Sequence, residues 1–243
     1  FLLGGTAGRT TLAGEGLQHQ DGNSHLLALP VPNLLAYDPA FAHEIAVILQ
    51  DGIRRMYGEG ESVFYYLTVM NEQYAQPAMP EGAREGILKG LYKLAPAPNP
   101  KAKLKAQLLG SGAILPEVLK AQALLGEKYK VAADVWSVTS YTQLYRDGNS
   151  CDRWNLLHPG EAPRTPWIAQ CLREAPGVYV AASDYVKALP HSVDRWLPRP
   201  LVSLGTDGFG RSEGRSALRD FFEVDARFIV LATLSALMRE GQV

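Results

Sequence analysis

The sequence predicts an α/β fold built from two units of mostly parallel sheet flanked by helices. Apolar segments alternate with segments of helical periodicity along the 243 residues, which is the order that parallel sheets require. Residues 62–69 are β-branched and aromatic without clean alternation, as is typical of a strand covered on both faces. The proline-rich stretch at residues 96–100 predicts a semi-rigid spacer, so we divide the chain into residues 1–95 and 96–243.

The first unit is predicted to contain two short strands and a long helix before the strand at 62–69. The strands are the apolar runs at residues 1–5 and 33–37. Asp38 and Pro39 have the residue types of a helix N-cap and first helical position, and apolar spacing then continues for five turns. The same periodicity assigns six polar residues to faces away from the core: His43, Glu44, Gln50, Asp51, Arg54 and Arg55. The side chain of His43 is expected to be solvated. A short helix is predicted around residues 81–93.

The second unit repeats the alternation. Strands are predicted at residues 106–109, 131–138, 177–182 and 201–204. Helices are predicted at residues 116–126, 140–146, 184–190 and 225–239. Asp147, Gly148 and Asn149 are turn residues, so they are expected to end the helix at 140–146 and to open an irregular segment at 151–166. The Gly-rich residues 206–212 are interpreted as a turn from strand to helix.

Composition excludes several classes of protein. The formal net charge is −1, which provides no strong field to attract nucleic acid or an anionic membrane. No run of 18 apolar residues is present. Cys151 and Cys171 lack metal-ligand spacing, and we interpret them as structural thiols of a cytoplasmic protein. The chain opens on an apolar strand with no earlier segment to pair with it, and we therefore expect it to be a piece of a longer polypeptide.

The chemistry is predicted in the loop at residues 14–25, which carries His19, Asp21 and His25 within seven positions. Three glycines make this backbone pliable, so its side chains can converge on one point. Histidine has the side-chain pKa nearest neutrality, and two imidazoles in one loop suit proton transfer. The spacing alone is also compatible with an ordinary polar surface turn.

Several blocks of sequence form a recognisable set that runs through the whole chain, in order residues 5–12, 14–19, 21–22, 90–94, 109–112, 153–155 and 204–212. Together they resemble the homodimeric, bacterial type of pyruvate dehydrogenase decarboxylating component, a thiamine-diphosphate enzyme of the transketolase superfamily. The resemblance identifies the chain as the carboxy-terminal portion of such a protein. It implies an incomplete pyrimidine-binding domain followed by a transketolase-like carboxy-terminal domain.

The resemblance also implies roles for the loop residues. His19 corresponds to the substrate-facing histidine of the family, which would bind the pyruvate oxygens and protonate a lipoyl sulfur during acyl transfer. Asp21 and His25 correspond to the acidic and imidazole members of the Glu-Asp-Gly-x-x-His loop of transketolases. Asp21 is expected to orient the loop and its histidine. His25 is left open between a direct role and loop packing, and Gln20 replaces a glutamate that the superfamily often has.

The family further implies thiamine diphosphate and Mg²⁺ as cofactors, pyruvate as substrate, a second copy of the chain, and a lipoyl-bearing acetyltransferase component as partner. Neither nucleic acid nor membrane is expected as a partner. The Gly-Asp-Gly…Asn motif that holds the diphosphate and its metal does not occur in these 243 residues. We therefore assign no metal ligand here and expect this segment alone to be inactive.

Two other interpretations remain open at the level of sequence. The chain could belong to another transketolase-superfamily enzyme, such as a transketolase, although blocks outside the histidine loop favour the pyruvate dehydrogenase component. It could also act without chemistry, as a dimerisation or docking module, because its apolar strands invite contact with another surface.

Overall fold

A computed structural model describes residues 1–6 and 8–242, and everything below concerns these residues. The first unit contains strands β1 (Leu2–Thr6), β2 (Leu34–Tyr37) and β3 (Phe64–Val69) and helices α1 (Ser24–Ala28), α2 (Ala42–Ile53) and α3 (Ala83–Lys89). The strands form a parallel sheet in the order β1-β3-β2. Tyr65 of the central strand β3 lies opposite Leu2 of β1 and Leu35 of β2.

The second unit is a larger sheet with helices on both faces. Its strands are β4 (Tyr92–Ala95), β5 (Leu104–Gly110), β6 (Val131–Ser137), β7 (Val178–Ala182) and β8 (Leu201–Leu204). Its helices are α4 (Leu115–Tyr129), α5 (Tyr141–Leu157), α6 (Trp167–Leu172), α7 (Ala188–His191), α8 (Arg215–Phe221) and α9 (Ala226–Arg239). Among the described residues the strand order is β4-β6-β5-β7-β8, with only β4 antiparallel to its neighbour. The predicted α/β class with parallel sheets is confirmed.

Two apolar layers cover the faces of the larger sheet. On one face the inward side chains of β5 and β6, such as Leu108 and Val135, join a cluster with α4 and α9. On the other face Leu109 and Trp136 join a cluster with α5 and α6. Successive residues of a strand point to opposite faces of the sheet, and helices cover both faces. Neighbouring residues of a central strand are therefore both buried, which explains the near-continuous apolar runs.

The sheet of the second unit begins at Tyr92, before the boundary predicted after Ala95. Strand β4 pairs with β6, so Lys93 lies opposite Trp136. Residues 96–103 contain no strand, and the prolines among them are exposed. Proline has no backbone N–H, so it cannot donate the hydrogen bonds that would join this segment to a neighbouring strand. The division into two domains stays a prediction, with the spacer following β4 instead of preceding the sheet.

The predicted start of the long helix is wrong. Helix α2 begins at Ala42, and its amino end is satisfied by Glu44, whose carboxylate accepts the N–H groups of Ala40 at 2.6 Å and Phe41 at 3.0 Å. Asp38, the predicted N-cap, is buried and instead accepts a hydrogen bond from Thr68. A glutamate in the first helical turn can serve the preceding amides as well as a cap residue can.

Three side chains assigned to the polar faces of this helix are buried or half-buried, and the prediction of a solvated His43 is wrong. Glu44 and Asp51 are buried, and the Tyr65 hydroxyl donates to Asp51 at 2.9 Å. His43 is half-buried, with Nε2 3.0 Å from the Tyr92 hydroxyl. The periodicity identified one apolar face, whereas the helix also packs its polar side chains against tyrosines that supply hydrogen bonds.

The prediction that residues 147–149 end a helix is also wrong, because α5 continues from Tyr141 to Leu157. Gly148 lies so close to Trp196 that a Cβ there would overlap the indole. Asp147 accepts the Trp167 N–H at 2.5 Å, and Asn149 donates to the Tyr145 carbonyl within the helix at 2.8 Å. Tertiary contacts thus override the turn preference of these three residues.

The helix predicted at residues 184–190 is only partly present. Residues 184–187 are irregular, and α7 covers Ala188–His191. Asp184 is not a cap for it but is buried, and both carboxylate oxygens lie 3.1 Å from the Thr10 amide nitrogen. The sequence also did not predict α6 or α8, which are each under eight residues.

Candidate active site

The carboxyl ends of the two sheets face each other. The Asp38 amide, which follows β2, donates to the Thr139 carbonyl beyond β6 at 2.8 Å. The Gly112 amide, beyond β5, donates to the Asp38 carbonyl at 3.1 Å. The Ser140 hydroxyl donates to the carbonyl of Ala36 at 2.5 Å. Ligand sites of open parallel sheets form beyond the carboxyl ends of strands, so this meeting place is the candidate site.

The loop at residues 14–25 runs along this meeting place, as expected. Residues 17–19 form one 3₁₀ turn, and the His19 side chain at its end is 58% exposed. Its Nδ1 lies 3.7 Å from a Glu15 carboxylate oxygen. Among the described residues, no other polar partner of the His19 side chain is found. The imidazole is therefore free to meet a ligand from solvent.

Asp21 organises the backbone that follows it. One oxygen, Oδ1, accepts the N–H groups of Asn23 and Ser24, each at 2.9 Å, and the other accepts the Ser24 hydroxyl. The carboxylate therefore caps the start of α1 and fixes the angle at which this helix leaves the loop. This geometry agrees with the expected orienting role.

His25 lies in the first turns of α1 and is only 3% exposed. Its Nε2 lies 3.0 Å from the Thr68 hydroxyl, and its ring meets Tyr185 edge-on with a centroid distance of 4.8 Å. Burial lowers the pKa of His25 to about 4, and Asp21 opposes that effect only in part. The imidazole of His25 is therefore neutral near pH 7. Its buried environment differs from that of His19, whose side chain is exposed.

Residues 8–12 anchor the first unit to the second through a buried carboxylate. Gly8 has a φ of +56°, a conformation that glycine adopts without steric cost. This lets its N–H donate to the Tyr185 hydroxyl at 3.3 Å and lets Asp184 pack against its Cα. Burial raises the pKa of Asp184 to about 7, although the Thr10 hydrogen bonds oppose that shift.

Residues 205–214 form a second loop that covers the first. Gln20 is buried between the two loops; its Oε1 accepts the Arg211 amide at 2.7 Å, and its Nε2 donates to the Arg211 carbonyl at 2.5 Å. The Gly14 amide donates to the Glu213 carbonyl at 3.1 Å. The Phe209 side chain at the tip of this loop is 85% exposed. The predicted turn is thus also a wall of the candidate site.

Sequence reasoning missed two residues here, Asp38 and Thr68. Thr68 lies near the end of β3, and its hydroxyl links His25 to Asp38. Burial raises the pKa of Asp38 to about 7, while its hydrogen bond with Thr68 counteracts this. A polar residue near the end of each of two parallel strands is the signal that could have indicated them.

A cavity of about 600 Å³ lies elsewhere, beside β4 and the segment before β7, and is lined by Trp136, Cys171 and other residues. None of the three predicted site residues lines it. Its Lys93 is paired with Asp134 at 2.8 Å, so its acidic and basic groups largely neutralise one another. The loop of His19 therefore stays the candidate site.

The groups that the family implies do not fit this segment by itself. Across residues 1–6 and 8–242, no three His, Cys, Asp or Glu side chains come together in a way that could hold a metal ion. Three carboxylates in or beside the loop, those of Asp21, Asp38 and Asp184, bind neighbouring protein groups. Within the same residues, no helix is both long and apolar enough to cross a membrane.

Comparison with known families assigns both halves. Residues 90–225 match the family described as the transketolase-like C-terminal domain. The chain belongs to this family. Residues 1–77 of this transketolase-like chain match the pyruvate dehydrogenase E1 component middle domain. The resemblance indicated by the sequence motifs is confirmed.

Individual proteins agree with these assignments. The pyruvate dehydrogenase E1 component of Escherichia coli (strain K12) is 54% identical over 245 residues, which cover 100% of this chain. The transketolase-like chain spans only 27% of that relative's length. Among solved structures, Pichia stipitis transketolase with sedoheptulose-7-phosphate superposes with a TM-score of 0.67 at 16% identity, covering 97% of this chain and 30% of that one.

A further structure, titled as a split gene transketolase in an inactive beta4 tetramer, has a TM-score of 0.60 at 20% identity. It covers 98% of this chain and 66% of the other. At these identities the structural likenesses establish the fold. They confirm that the order of the two sheets and their helices is that of transketolases.

Proposed function

We propose that this chain contributes part of the active site of a thiamine-diphosphate-dependent pyruvate dehydrogenase. The reaction is the oxidative decarboxylation of pyruvate with transfer of the acetyl group to a lipoyl group of the acetyltransferase component. The observation that carries the proposal is His19, an exposed imidazole on a loop between the facing carboxyl ends of two parallel sheets. The identity of 54% to an E1 component supports that choice of reaction.

The residues of this chain act on protons and orientation. The exposed His19 side chain, with one distant carboxylate neighbour, is accessible to hydrogen-bond the carboxylate of pyruvate and to deliver a proton to a lipoyl sulfur. Asp21 holds the turn from which His19 projects, through its hydrogen bonds to the amides of Asn23 and Ser24. His25 is neutral and contributes hydrogen bonding at a fixed place. These three residues remain our candidates for the catalytic set.

The cofactors are implied by the family, and this segment does not supply their ligands. We propose that thiamine diphosphate and Mg²⁺ are held by other segments of the full-length polypeptide. We further propose that the full-length protein is a cytoplasmic homodimer that acts between glycolysis and acetyl-group metabolism. The exposed apolar side chains of Phe1, Leu2 and Leu3 along β1 support contact with additional polypeptide.

The test uses the full-length protein and follows release of CO₂ from pyruvate with a lipoyl-bearing domain as acceptor. We expect turnover that depends on thiamine diphosphate and is lost in His19→Ala. Turnover of a ketose phosphate without turnover of pyruvate would instead favour the transketolase alternative. Calorimetry of the isolated 243 residues with thiamine diphosphate and Mg²⁺ should show no binding.

A non-catalytic role is the second candidate. One structural neighbour is described as a split gene transketolase in an inactive beta4 tetramer. If these 243 residues exist alone, we propose that they form a dimerisation module through the open edge of β1. The intact mass of the native protein separates the two proposals, since a mass near 26.5 kDa supports the module and a several-fold larger mass supports the enzyme.

A further inference from the structure

Three buried side chains form a line from the first sheet to the candidate site. His25, Thr68 and Asp38 are exposed by 3%, 0% and 5%. The Thr68 hydroxyl lies in the middle, 3.0 Å from Nε2 of His25 and 2.7 Å from Oδ1 of Asp38. The proposed reaction uses His25, but it gives neither Thr68 nor Asp38 a task.

The hydroxyl of Thr68 has one proton to donate, and this settles the direction of each hydrogen bond. Oδ1 of an ionised Asp38 can only accept, and so can the Tyr37 carbonyl, which lies 3.3 Å from the same hydroxyl. The Tyr185 hydroxyl also interacts with Thr68, but a carboxylate oxygen at 2.7 Å is the stronger acceptor, so the proton of Thr68 goes to Oδ1 of Asp38. The contact between Thr68 and His25 then has Nε2 as the donor.

The result is the same for Asp38 ionised and for Asp38 protonated on Oδ2, because Oδ1 accepts from Thr68 in both states. A proton on Oδ1 would reverse it, since Thr68 could then accept from Asp38 and donate to Nε2. We infer the arrangement in which Oδ1 accepts the Thr68 hydroxyl at 2.7 Å. In that arrangement the donor to Thr68 on the imidazole side is Nε2 of His25. The neutral ring then has its lone pair on Nδ1.

The surroundings keep this line in place. The His25 ring lies between Tyr185, at 4.8 Å, and Tyr66, at 5.6 Å between centroids. The backbone of Asp38 is held by hydrogen bonds in both directions, to Thr139 and from Gly112. The Asp38 carboxylate interacts with the side chains of Thr68 and Ser111, and the contact of Oδ1 with Thr68 at 2.7 Å is a short hydrogen bond.

We propose that Thr68 and Asp38 are positioning residues that hold His25 as a neutral imidazole with its proton on Nε2. The consequence is that His25 offers Nδ1 as a hydrogen-bond acceptor and cannot donate from that atom. Its ligand at Nδ1 must therefore be a hydroxyl or another protonated group. This inference rests on the proposed function for the view that the ring takes part in turnover, whereas the tautomer itself follows from the hydrogen bonds.

The low pKa of His25 supports the neutral ring, because burial disfavours the imidazolium. The geometry also explains why the residue is useful although buried. A histidine without a fixed partner can exchange between its two neutral tautomers, and each presents a different atom to a ligand. Because the Thr68 hydroxyl donates its own proton elsewhere, it accepts from Nε2 of His25 and so selects the Nε2-protonated tautomer.

The experiment uses the full-length protein labelled with ¹⁵N at its histidine ring nitrogens. Solid-state NMR distinguishes protonated from unprotonated ring nitrogens, and His25→Gln identifies the signals of His25. Thr68→Val removes the hydroxyl with little change of shape, and Thr68→Ser restores it. Thr233→Val is the matched control, since Thr233 is also fully buried and its hydroxyl donates to the Ile229 carbonyl within its own helix.

We expect wild-type His25 to carry its proton on Nε2, and Thr68→Val to move part of the population to the Nδ1-protonated form. Turnover of pyruvate should fall roughly tenfold in Thr68→Val, recover to within about threefold in Thr68→Ser, and stay unchanged in Thr233→Val. A wild-type proton on Nδ1 would overturn the inference without any variant having to fold. The inference would also be overturned if Thr68→Val had the same turnover and the same His25 tautomer as wild type. If wild type turns over no pyruvate, the proposed function fails while the spectra still decide the tautomer.

Discussion

Gln20 and Arg211 form two hydrogen bonds through one side chain, with the amide oxygen of Gln20 accepting the Arg211 N–H and its nitrogen donating to the Arg211 carbonyl. The two residues are 191 positions apart, so this pairing closes a long loop. Gly210 allows the approach, because a Cβ there would be 2.5 Å from Oε1 of Gln20. The pairing holds the loop of Phe209 against the loop of His19.

Removing this pairing should loosen the second loop. In Gln20→Ala both hydrogen bonds are lost and the partly buried amide and carbonyl of Arg211 are left unpaired, which costs about 1–3 kcal/mol. We expect faster proteolysis after Arg211 and a lower unfolding temperature. The exposed neighbour Gln18 provides the control, Gln18→Ala. Equal cleavage of both variants and wild type would show that Gln20 does not hold the loop.

His19→Ala should remove catalysis and spare stability. A positioned acid or base contributes about 10²- to 10⁴-fold, and the exposed ring of His19 makes few contacts that stabilise the fold. We expect turnover of pyruvate by the full-length protein to fall into the range of ten- to ten-thousand-fold, with an unchanged unfolding temperature. His158→Ala is the control, since that ring stacks on Trp154 at 3.6 Å and is not part of the loop. Turnover within twofold of wild type would exclude His19 from the mechanism.

The burial of His25 should make stability depend on pH. The pKa of its imidazole falls from 6.5 to about 4 on folding, so between these values the unfolded chain binds more protons than the native one. The contribution is fully present above pH 6.5 and is lost as the pH falls toward 4, and it corresponds to roughly 3 kcal/mol. Calorimetry should show a smaller loss of unfolding temperature between pH 7 and 4.5 in His25→Gln than in wild type. Parallel curves for the two proteins would contradict the neutral, buried state.

Asp184 should act with the opposite sign. Burial raises its pKa from 3.8 to about 7, so the native state binds more protons between these values. This contribution is present below pH 3.8 and is lost as the pH rises through 7. Asp184→Asn should therefore lose less stability than wild type between pH 5 and 7.5, as measured by the unfolding temperature. A steeper loss in the variant would reverse the assignment.

Two glycines of long helices should respond oppositely to alanine. A methyl group at Gly148 would overlap the Trp196 indole, and overpacking of this kind costs about 1–3 kcal/mol. At Gly126 the nearest atom to a Cβ is 3.9 Å away, so alanine should stabilise α4 by up to about 1 kcal/mol. Denaturant unfolding of Gly148→Ala and Gly126→Ala tests both. If both substitutions destabilise the protein to the same extent, the contact with Trp196 is not the cause of the loss of stability in Gly148→Ala.

The spacer at residues 96–103 should be the preferred site of limited proteolysis. It contains no strand, and Lys101 and Lys103 are exposed. Brief treatment with trypsin should cut after these lysines and leave a resistant fragment that reaches the carboxyl terminus. The first unit should be degraded faster, because β1 leaves a sheet edge open. A resistant fragment that spans the spacer would reject the division into two domains.

Local pattern was enough to determine the class of fold, and it supplied the prediction of where the chemistry takes place. The strands at residues 201–204 and 131–137 were predicted nearly to the residue, because a buried parallel strand must be a short apolar run between turns. Helix α9 was equally clear, since Asp225 caps it by accepting the Arg227 amide at 2.8 Å. The loop of His19, Asp21 and His25 was found because its glycines and imidazoles are neighbours in sequence.

Tertiary structure decided which polar residues are buried and what they bind. Asp38 was assigned to a helix cap and became the partner of Thr68, 30 positions away, and Asp184 became the partner of Thr10 across the two units. The turn residues around Gly148 remain helical because Trp196 packs against them. Periodicity reports only which face of an element is apolar. Whether a carboxylate on the other face meets water or a distant hydroxyl depends on how the sheets are placed against each other, and only the folded chain determines that.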